Sequence, residues 1–330
     1  MASVTVVGAG SWGTALAIHL ARVGHDVWLW GRDAHLVADM ETRRANAVYL
    51  PDILLPDGVT PTAHLHDALA RADTVVWVVP SHGTREVLTA TVAALRPGAL
   101  VVSATKGLEK GSWKRPSEVL AELLPASSPV VVLSGPSFAA EVARELPTAV
   151  CAASTSEDAA ARVLEQFRGR RFRLYGSDDV IGVETGGAYK NVIAIAAGVV
   201  QGLGLGHNAL AGLVTRGLAE MTRLAGALGG RRDTLAGLGG LGDLVLTCTG
   251  SASRNLHVGV ELGRGRPLHD VLAGMKMVAE GVNATYGVLA LGRTVGVELP
   301  IAHQMQEVLE GRVHPLEATE ALMLRPQKAE

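Results

Sequence analysis

The sequence predicts an α/β protein: a doubly wound, mostly parallel sheet in the N-terminal part, then an all-helical C-terminal domain. Three observations carry this. Short β-branched runs alternate with helical stretches over the first half of the chain. A glycine turn, Gly8-Ala9-Gly10-Ser11-Trp12-Gly13, joins the first run to the first helical stretch. The strand signal then ends near Asp178.

Residues 4–7, 27–30, 74–79 and 100–103 are compact apolar runs bounded by Gly, Pro, Asp or Arg, the pattern of strands buried on both faces. Between them, 12–23, 34–47, 82–95 and 117–124 carry helical spacing. Runs 130–133, 149–152 and 171–175 read as further strands. Beyond Asp178 the segments 187–200, 209–228, 254–262, 284–294 and 303–309 read as helices, with glycine-rich breaks at 202–206 and 237–242. The boundary is placed at Gly176-Ser177-Asp178-Asp179, giving domains 1–177 and 178–330.

Length and charge narrow the function classes. A chain of 330 residues exceeds the roughly 250–300 at which one core stops growing. Thirty basic residues against 32 acidic leave a net charge of −2, with no cationic excess to bind nucleic acid. The mean hydropathy of +0.25 comes from Ala, Val, Leu and Gly spread along the chain. The apolar run 192–200 is short of the about 20 residues that cross a bilayer, so no membrane insertion is expected. No basic segment precedes the first strand, so no secretory signal is read. Cys151 and Cys248 stand far apart and outside any CxxC, and the eleven histidines show no ligand spacing. We therefore expect no disulfide, no metal and a cytoplasmic location.

The glycine turn matches GxGxxG at a place where it has a mechanism. Gly8 permits the tight turn, Gly10 lets the backbone approach a pyrophosphate, and Gly13 allows close helix–strand packing. The helix start at Ser11-Trp12 offers N–H groups and positive potential. This makes 1–177 a dinucleotide-binding, Rossmann-type domain and leaves 178–330 as the helical substrate or catalytic domain. The second strand ends Trp30-Gly31-Arg32-Asp33. Arg32 can grip a 2′-phosphate, which favours NADP(H) over NAD(H). In the other reading Asp33 turns inward to the ribose and Arg32 stacks on adenine.

Only six of the basic residues are Lys, so a lysine in an unusual setting stands out. Lys106 follows the strand 100–103, where the carboxyl ends of an open sheet meet ligands; alternatively it is a surface loop lysine. Ser134-Gly135-Pro136-Ser137-Phe138-Ala139 follows the strand 130–133 and reads either as an anion-holding loop or as an ordinary turn. Lys190 lies in Ala188-Tyr189-Lys190-Asn191-Val192, at the head of a helix apolar all round. A buried ammonium needs a partner or a depressed pKa. Lys190 is thus a candidate general acid–base, or else half of a structural ion pair with Glu184 or another carboxylate. Asp243 is a lone carboxylate among apolar residues and suits that partnership. Thr247 shares its face if the stretch is helical. Ser253-Arg254-Asn255 reads as an N-cap followed by an arginine at a helix start, which is a phosphate site or simply a capped helix. Glu280 is a helix-end carboxylate or a group near the cofactor amide.

In this order the motifs make the chain resemble bacterial NAD(P)-dependent glycerol-3-phosphate dehydrogenases over nearly its whole length. The matching segments are Gly8 to Ala17, Lys106-Gly107-Leu108-Glu109, Ser134 to Ala139, Lys190-Asn191, Gly242-Asp243-Leu244 with Thr247, Ser253-Arg254-Asn255 and Glu280-Gly281-Val282. The resemblance implies reversible hydride transfer between a nicotinamide and C2 of dihydroxyacetone phosphate, giving sn-glycerol 3-phosphate for phospholipid synthesis. It implies Lys190 as proton donor and Lys106, Gly135, Ser137, Asn191, Asp243, Ser253, Arg254 and Asn255 as substrate contacts, with Arg254 on the phosphate. It places Ser11, Trp12, Arg32, Lys106, Ala139, Arg254, Val278 and Glu280 on the cofactor. It also implies a cytoplasmic homodimer. Gly239 stands where the family more often has Ala, and Asn283-Ala284 departs from the usual Thr-Ala pattern.

Overall fold

The computed structural model describes residues 2–275 and 279–327. They form two compact units, Met1–Glu109 with Lys114–Val180, and Lys110–Trp113 with Ile181–Glu330.

The first unit is built on one eight-stranded sheet. Its strands are β1 (Ser3–Val7), β2 (Asp26–Trp30), β3 (Val59–Thr62), β4 (Thr74–Trp77), β5 (Leu100–Ser103), β6 (Val130–Ser134), β7 (Thr148–Ala153) and β8 (Phe172–Ser177). Their order is β3-β2-β1-β4-β5-β6-β7-β8. All neighbours are parallel except β6 and β7, so β7 and β8 run against the rest. Chain order reverses between β1 and β4, and in such sheets the crevice at that reversal takes ligands.

Alternation along each strand feeds two cores. Val4, Val6, Leu29, Val102 and Val131 face one way, onto Ala15, Leu16 and Ile18 of the helix Ser11–Arg22. Val7, Val75, Trp77 and Val101 face the other way, onto Leu69, Leu88 and Leu120. Burial on both faces is why these strands read as unbroken apolar runs.

Three differences from the sequence reading are found, two of them with a clear physical cause. Strand β3 was not anticipated, because Pro61 sits inside it. The proline is tolerated because β3 is an edge strand that pairs only through β2, Leu29 against Pro61. The stretch 82–95 is a 3₁₀ turn (Ser81–Gly83), a helix (Thr84–Thr91) and a second 3₁₀ turn (Val92–Ala94). The long helix of the second unit runs Val180–Gly202 and does not wait for 187. Gly182, Gly186 and Gly187 argue against helix in isolation. In the fold two of them are contact surface: a Cβ on Gly186 would lie 2.4 Å from the Gly239 carbonyl oxygen, and one on Gly230 would lie 2.9 Å from the Gly182 nitrogen.

The second unit is helical. Its elements include Gly206–Ala227, a turn of π-helix at Leu238–Gly242, Asp243–Thr249, Arg254–Gly263, Glu280–Thr294 and Pro300–Leu309. The Val180–Gly202 helix is buried on every side from Gly182 to Val200. It meets the helix Arg254–Gly263 backbone to backbone. Gly198 and Gly202 face Gly259 and Gly263, and a Cβ on Gly259 would fall 1.9 Å from the Ile195 oxygen. This approach carries the start of one helix, with Arg254 and Asn255, to the side of the helix that bears Lys190.

Candidate active site

In the sheet unit the glycine loop has the form a dinucleotide requires. Gly8 has φ +124°, and a Cβ there would press on the Val78 oxygen at 2.8 Å. A Cβ on Gly13 would lie 1.9 Å from the Gly8 oxygen, which fixes the helix against the loop. A Cβ on Gly10 would meet nothing within 4 Å, so the loop is open where a pyrophosphate would approach. Gly10 is also the N-cap residue of Ser11–Arg22, with extended backbone and no side chain to cover the first amides. The Trp12 Nε1 is buried without a hydrogen-bond acceptor in the protein. These features fit a bound nicotinamide dinucleotide.

Beyond β2, Asp33 is an N-cap. Its carboxylate accepts the N–H groups of His35 at 2.9 Å and Leu36 at 3.4 Å, while Arg32 is exposed beside it. Lys106 lies past the end of β5, and its Nζ donates to the Gly135 carbonyl at 3.3 Å. The Ser137 hydroxyl donates to the same oxygen at 2.9 Å. Gly135 takes φ +140°, and a Cβ there would meet the Val150 Cα at 3.0 Å. Lys106, Gly135 and Ser137 are thus brought together at the ends of β5 and β6. Ala139 opens the helix Ala139–Ala143 and packs, like Trp12, against the core.

In the helical unit the Lys190 Nζ donates to Asp243 Oδ1 at 2.5 Å and to the Thr247 hydroxyl at 2.9 Å. Thr247 donates in turn to the Asp243 carbonyl at 2.5 Å. Asp243 and Thr247 lie one helical turn apart because the stretch is the helix Asp243–Thr249. Burial pushes the neighbouring Cys248 thiol up to about 12, against the pull of the Lys190 charge, so it stays protonated and is no nucleophile.

A second network joins three helices. The Asn255 Nδ2 donates to Asn191 Oδ1 at 3.0 Å, and Asn255 Oδ1 accepts the Gly281 N–H at 2.9 Å. Asn191 and Asn255 are both buried. Ser253 caps its helix by accepting the Leu256 N–H at 3.2 Å. Arg254 follows, exposed as a whole residue although protein packs around its guanidinium. Desolvation draws its pKa below the usual arginine value, and the Glu280 carboxylate opposes that shift. Glu280 begins the helix Glu280–Thr294, and Val278 lies outside the described residues.

Sequence reasoning missed the buried pair behind Lys190. The Tyr189 hydroxyl donates to Glu220 Oε2 at 2.6 Å, and Glu220 Oε1 accepts the Ile301 N–H at 2.8 Å. Burial raises the pKa of both groups. The available signal was a lone carboxylate in the apolar stripe of Gly206–Ala227. Among the described residues no group of three His, Cys, Asp or Glu could hold a metal, and no helix is long and apolar enough to cross a membrane.

Comparison with known proteins gives the family of the chain. The family model described as NAD-dependent glycerol-3-phosphate dehydrogenase N-terminus matches residues 3–160, and its C-terminal counterpart matches 179–320. A protein of Koribacter versatilis named glycerol-3-phosphate dehydrogenase [NAD(P)+] is 52% identical, over 100% of this chain and 99% of that one. A protein of Acidobacterium capsulatum with the same name is 50% identical over 100% of both chains. The crystal structure of a glycerol-3-phosphate dehydrogenase from Coxiella burnetii superimposes with TM-score 0.94 at 41% identity, covering 98% of this chain and 99% of that one. The chain belongs to the NAD-dependent glycerol-3-phosphate dehydrogenase family.

Proposed function

We propose that this chain reduces dihydroxyacetone phosphate to sn-glycerol 3-phosphate with NADPH or NADH, reversibly, and that Lys190 is the proton donor. The observation that carries the reading is the buried Lys190–Asp243–Thr247 cluster. The nicotinamide supplies the hydride. As C2 of the ketone accepts it, negative charge grows on the ketone oxygen, and an ammonium beside that oxygen stabilises the charge and gives up a proton. Such proton transfer contributes about 10²–10⁴-fold. Lysine suits the role because it can release its proton, which arginine does not. Asp243 keeps the ammonium charged in its buried setting, and Thr247 fixes its direction.

Arg254, with Ser253, Asn255 and Asn191, binds the phosphate end, and that binding energy orients the reacting carbon. Lys106, Gly135 and Ser137 add substrate contacts, with Lys106 also reaching the cofactor. Gly8, Gly10, Ser11, Trp12, Gly13, Arg32, Ala139, Arg254, Val278 and Glu280 bind the dinucleotide. NADP(H) is preferred, because Arg32 can pair with a 2′-phosphate. We place the enzyme in the cytoplasm as a homodimer that feeds phospholipid synthesis.

The test follows NADPH and NADH absorbance with dihydroxyacetone phosphate and with unphosphorylated dihydroxyacetone. The phosphorylated ketone is turned over and the other is not, and Arg254→Ala raises KM for the ketone phosphate far more than for NADPH. Equal turnover of the two ketones, or an equal rise in both KM values, contradicts the proposal.

A further inference from the structure

We infer that His64 and His66, past the end of the edge strand β3, complete with Arg32 a binding site for a phosphate on the adenosine 2′ position, and that this site sets the choice of NADP(H) over NAD(H). The inference rests on the dehydrogenase reading above and names residues that the sequence motifs did not single out.

Four observations place the site. First, β2 and β3 are parallel neighbours with Trp30 against Thr62, and the Gly31 N–H donates to the Thr62 carbonyl at 3.1 Å. Arg32 and His64 each follow that matched pair by two residues, so they emerge side by side at the carboxyl ends. Second, the backbone there is tied down. The His64 N–H donates to the Thr62 hydroxyl at 3.0 Å, and Trp30 Nε1 donates to the Ala63 carbonyl at 3.2 Å.

Third, Trp30, Arg32, His64 and His66 line one cavity of about 550 Å³, a size that takes a nucleotide. Fourth, the carboxylate that follows β2, Asp33, is engaged with its own helix. Its Oδ1 accepts the His35 and Leu36 N–H groups at the start of that helix. Gly31 is tightly packed, since a Cβ would lie 3.1 Å from Val37 Cγ2 and 3.3 Å from the Ala9 Cβ. A site for an unphosphorylated ribose usually has an acid at this strand end, whereas arginine accommodates the phosphate.

Two acids share the cavity, Asp67 from Leu65–Arg71 and Glu86 from Thr84–Thr91. They stand against one guanidinium and two imidazoles. Each imidazole can donate an N–H to a phosphate oxygen. Arg32 supplies the fixed charge and the forked geometry that grips a phosphate.

The test measures binding of adenosine 2′,5′-bisphosphate and of 5′-AMP by calorimetry to the intact chain, to Arg32→Ala, to His64→Asn and His66→Asn, and to the double histidine variant. The intact chain is expected to bind the bisphosphate about tenfold or more tighter than AMP. The double variant is expected to lose about three- to tenfold of that preference while AMP binding holds. An unchanged preference in the double variant, or none in the intact chain, overturns the inference. Oxidation of NADPH and NADH with dihydroxyacetone phosphate is followed on the same samples. Absence of any turnover in the intact chain sinks the dehydrogenase reading, whereas turnover with unaltered nucleotide preference sinks only the histidine site.

Discussion

The Lys190 ammonium lies 2.5 Å from the Asp243 carboxylate, with side chains only 7% and 1% exposed. Charges this deep are tolerated because each satisfies the other and Thr247 takes a further hydrogen bond. Removing one partner of such a pair leaves an uncompensated charge, at a cost of about 3–5 kcal/mol. Asp243→Asn is therefore expected to lower unfolding stability by that order and turnover by about 10²-fold or more. Urea unfolding and steady-state NADPH oxidation check both, and a variant of full stability and turnover would mean the carboxylate does not support the lysine.

The glycines of the helical unit divide into contact surface and open helix. A Cβ on Gly259 would sit 1.9 Å from the Ile195 oxygen, whereas one on Gly212 would meet nothing within 4 Å beyond its own helix. Gly259→Ala forces two backbones apart and is expected to cost about 1–3 kcal/mol or more. Gly212→Ala, in the exposed part of Gly206–Ala227, is expected to gain about 0.5–1 kcal/mol. Opposite shifts in urea midpoint confirm the distinction, and a loss in both variants removes it.

Which parts of this were legible in the sequence follows from where each signal is written. Strands buried on both faces spell themselves as apolar runs, and the glycine loop needs its residues at fixed spacing, so both could be read directly. Lys190 with Asp243 was legible because a lone charge in an apolar helix demands a lone carboxylate elsewhere. Strand β3 was hidden by Pro61, whose tolerance depends on being at the edge. The early start at Val180 was hidden by glycines that are poor helix formers alone and become packing surface only against Gly239 and its neighbours. Tyr189 with Glu220 and Asn255 with Gly281 join residues distant in the chain; the lone carboxylate of Gly206–Ala227 marks one end of the first pair, but no local pattern names its partner.

His19 gives a pH dependence whose sign can be worked out. It is buried on Ser11–Arg22, its Nε2 lies 2.7 Å from the Phe167 carbonyl, and burial lowers its pKa. Below the ordinary value of 6.5 the unfolded chain therefore binds a proton that the folded chain refuses. The stability from this group is present above pH 6.5 and is lost as pH falls from there through the lowered folded value. The slope approaches about 1.4 kcal/mol per pH unit while only the unfolded state is protonated. Unfolding free energies from pH 8 to 5, for the intact chain and His19→Gln, are expected to show this slope only in the former. Equal slopes assign the acid sensitivity to other groups.

The most direct measurement takes Lys190→Met, which keeps most of the length of the unbranched side chain and removes the ammonium. NADPH affinity is read by fluorescence and turnover of dihydroxyacetone phosphate by absorbance on the same sample. If Lys190 is the proton donor, NADPH binds as in the intact chain while kcat falls by about 10³-fold or more. A kcat within tenfold of the intact chain would contradict that role.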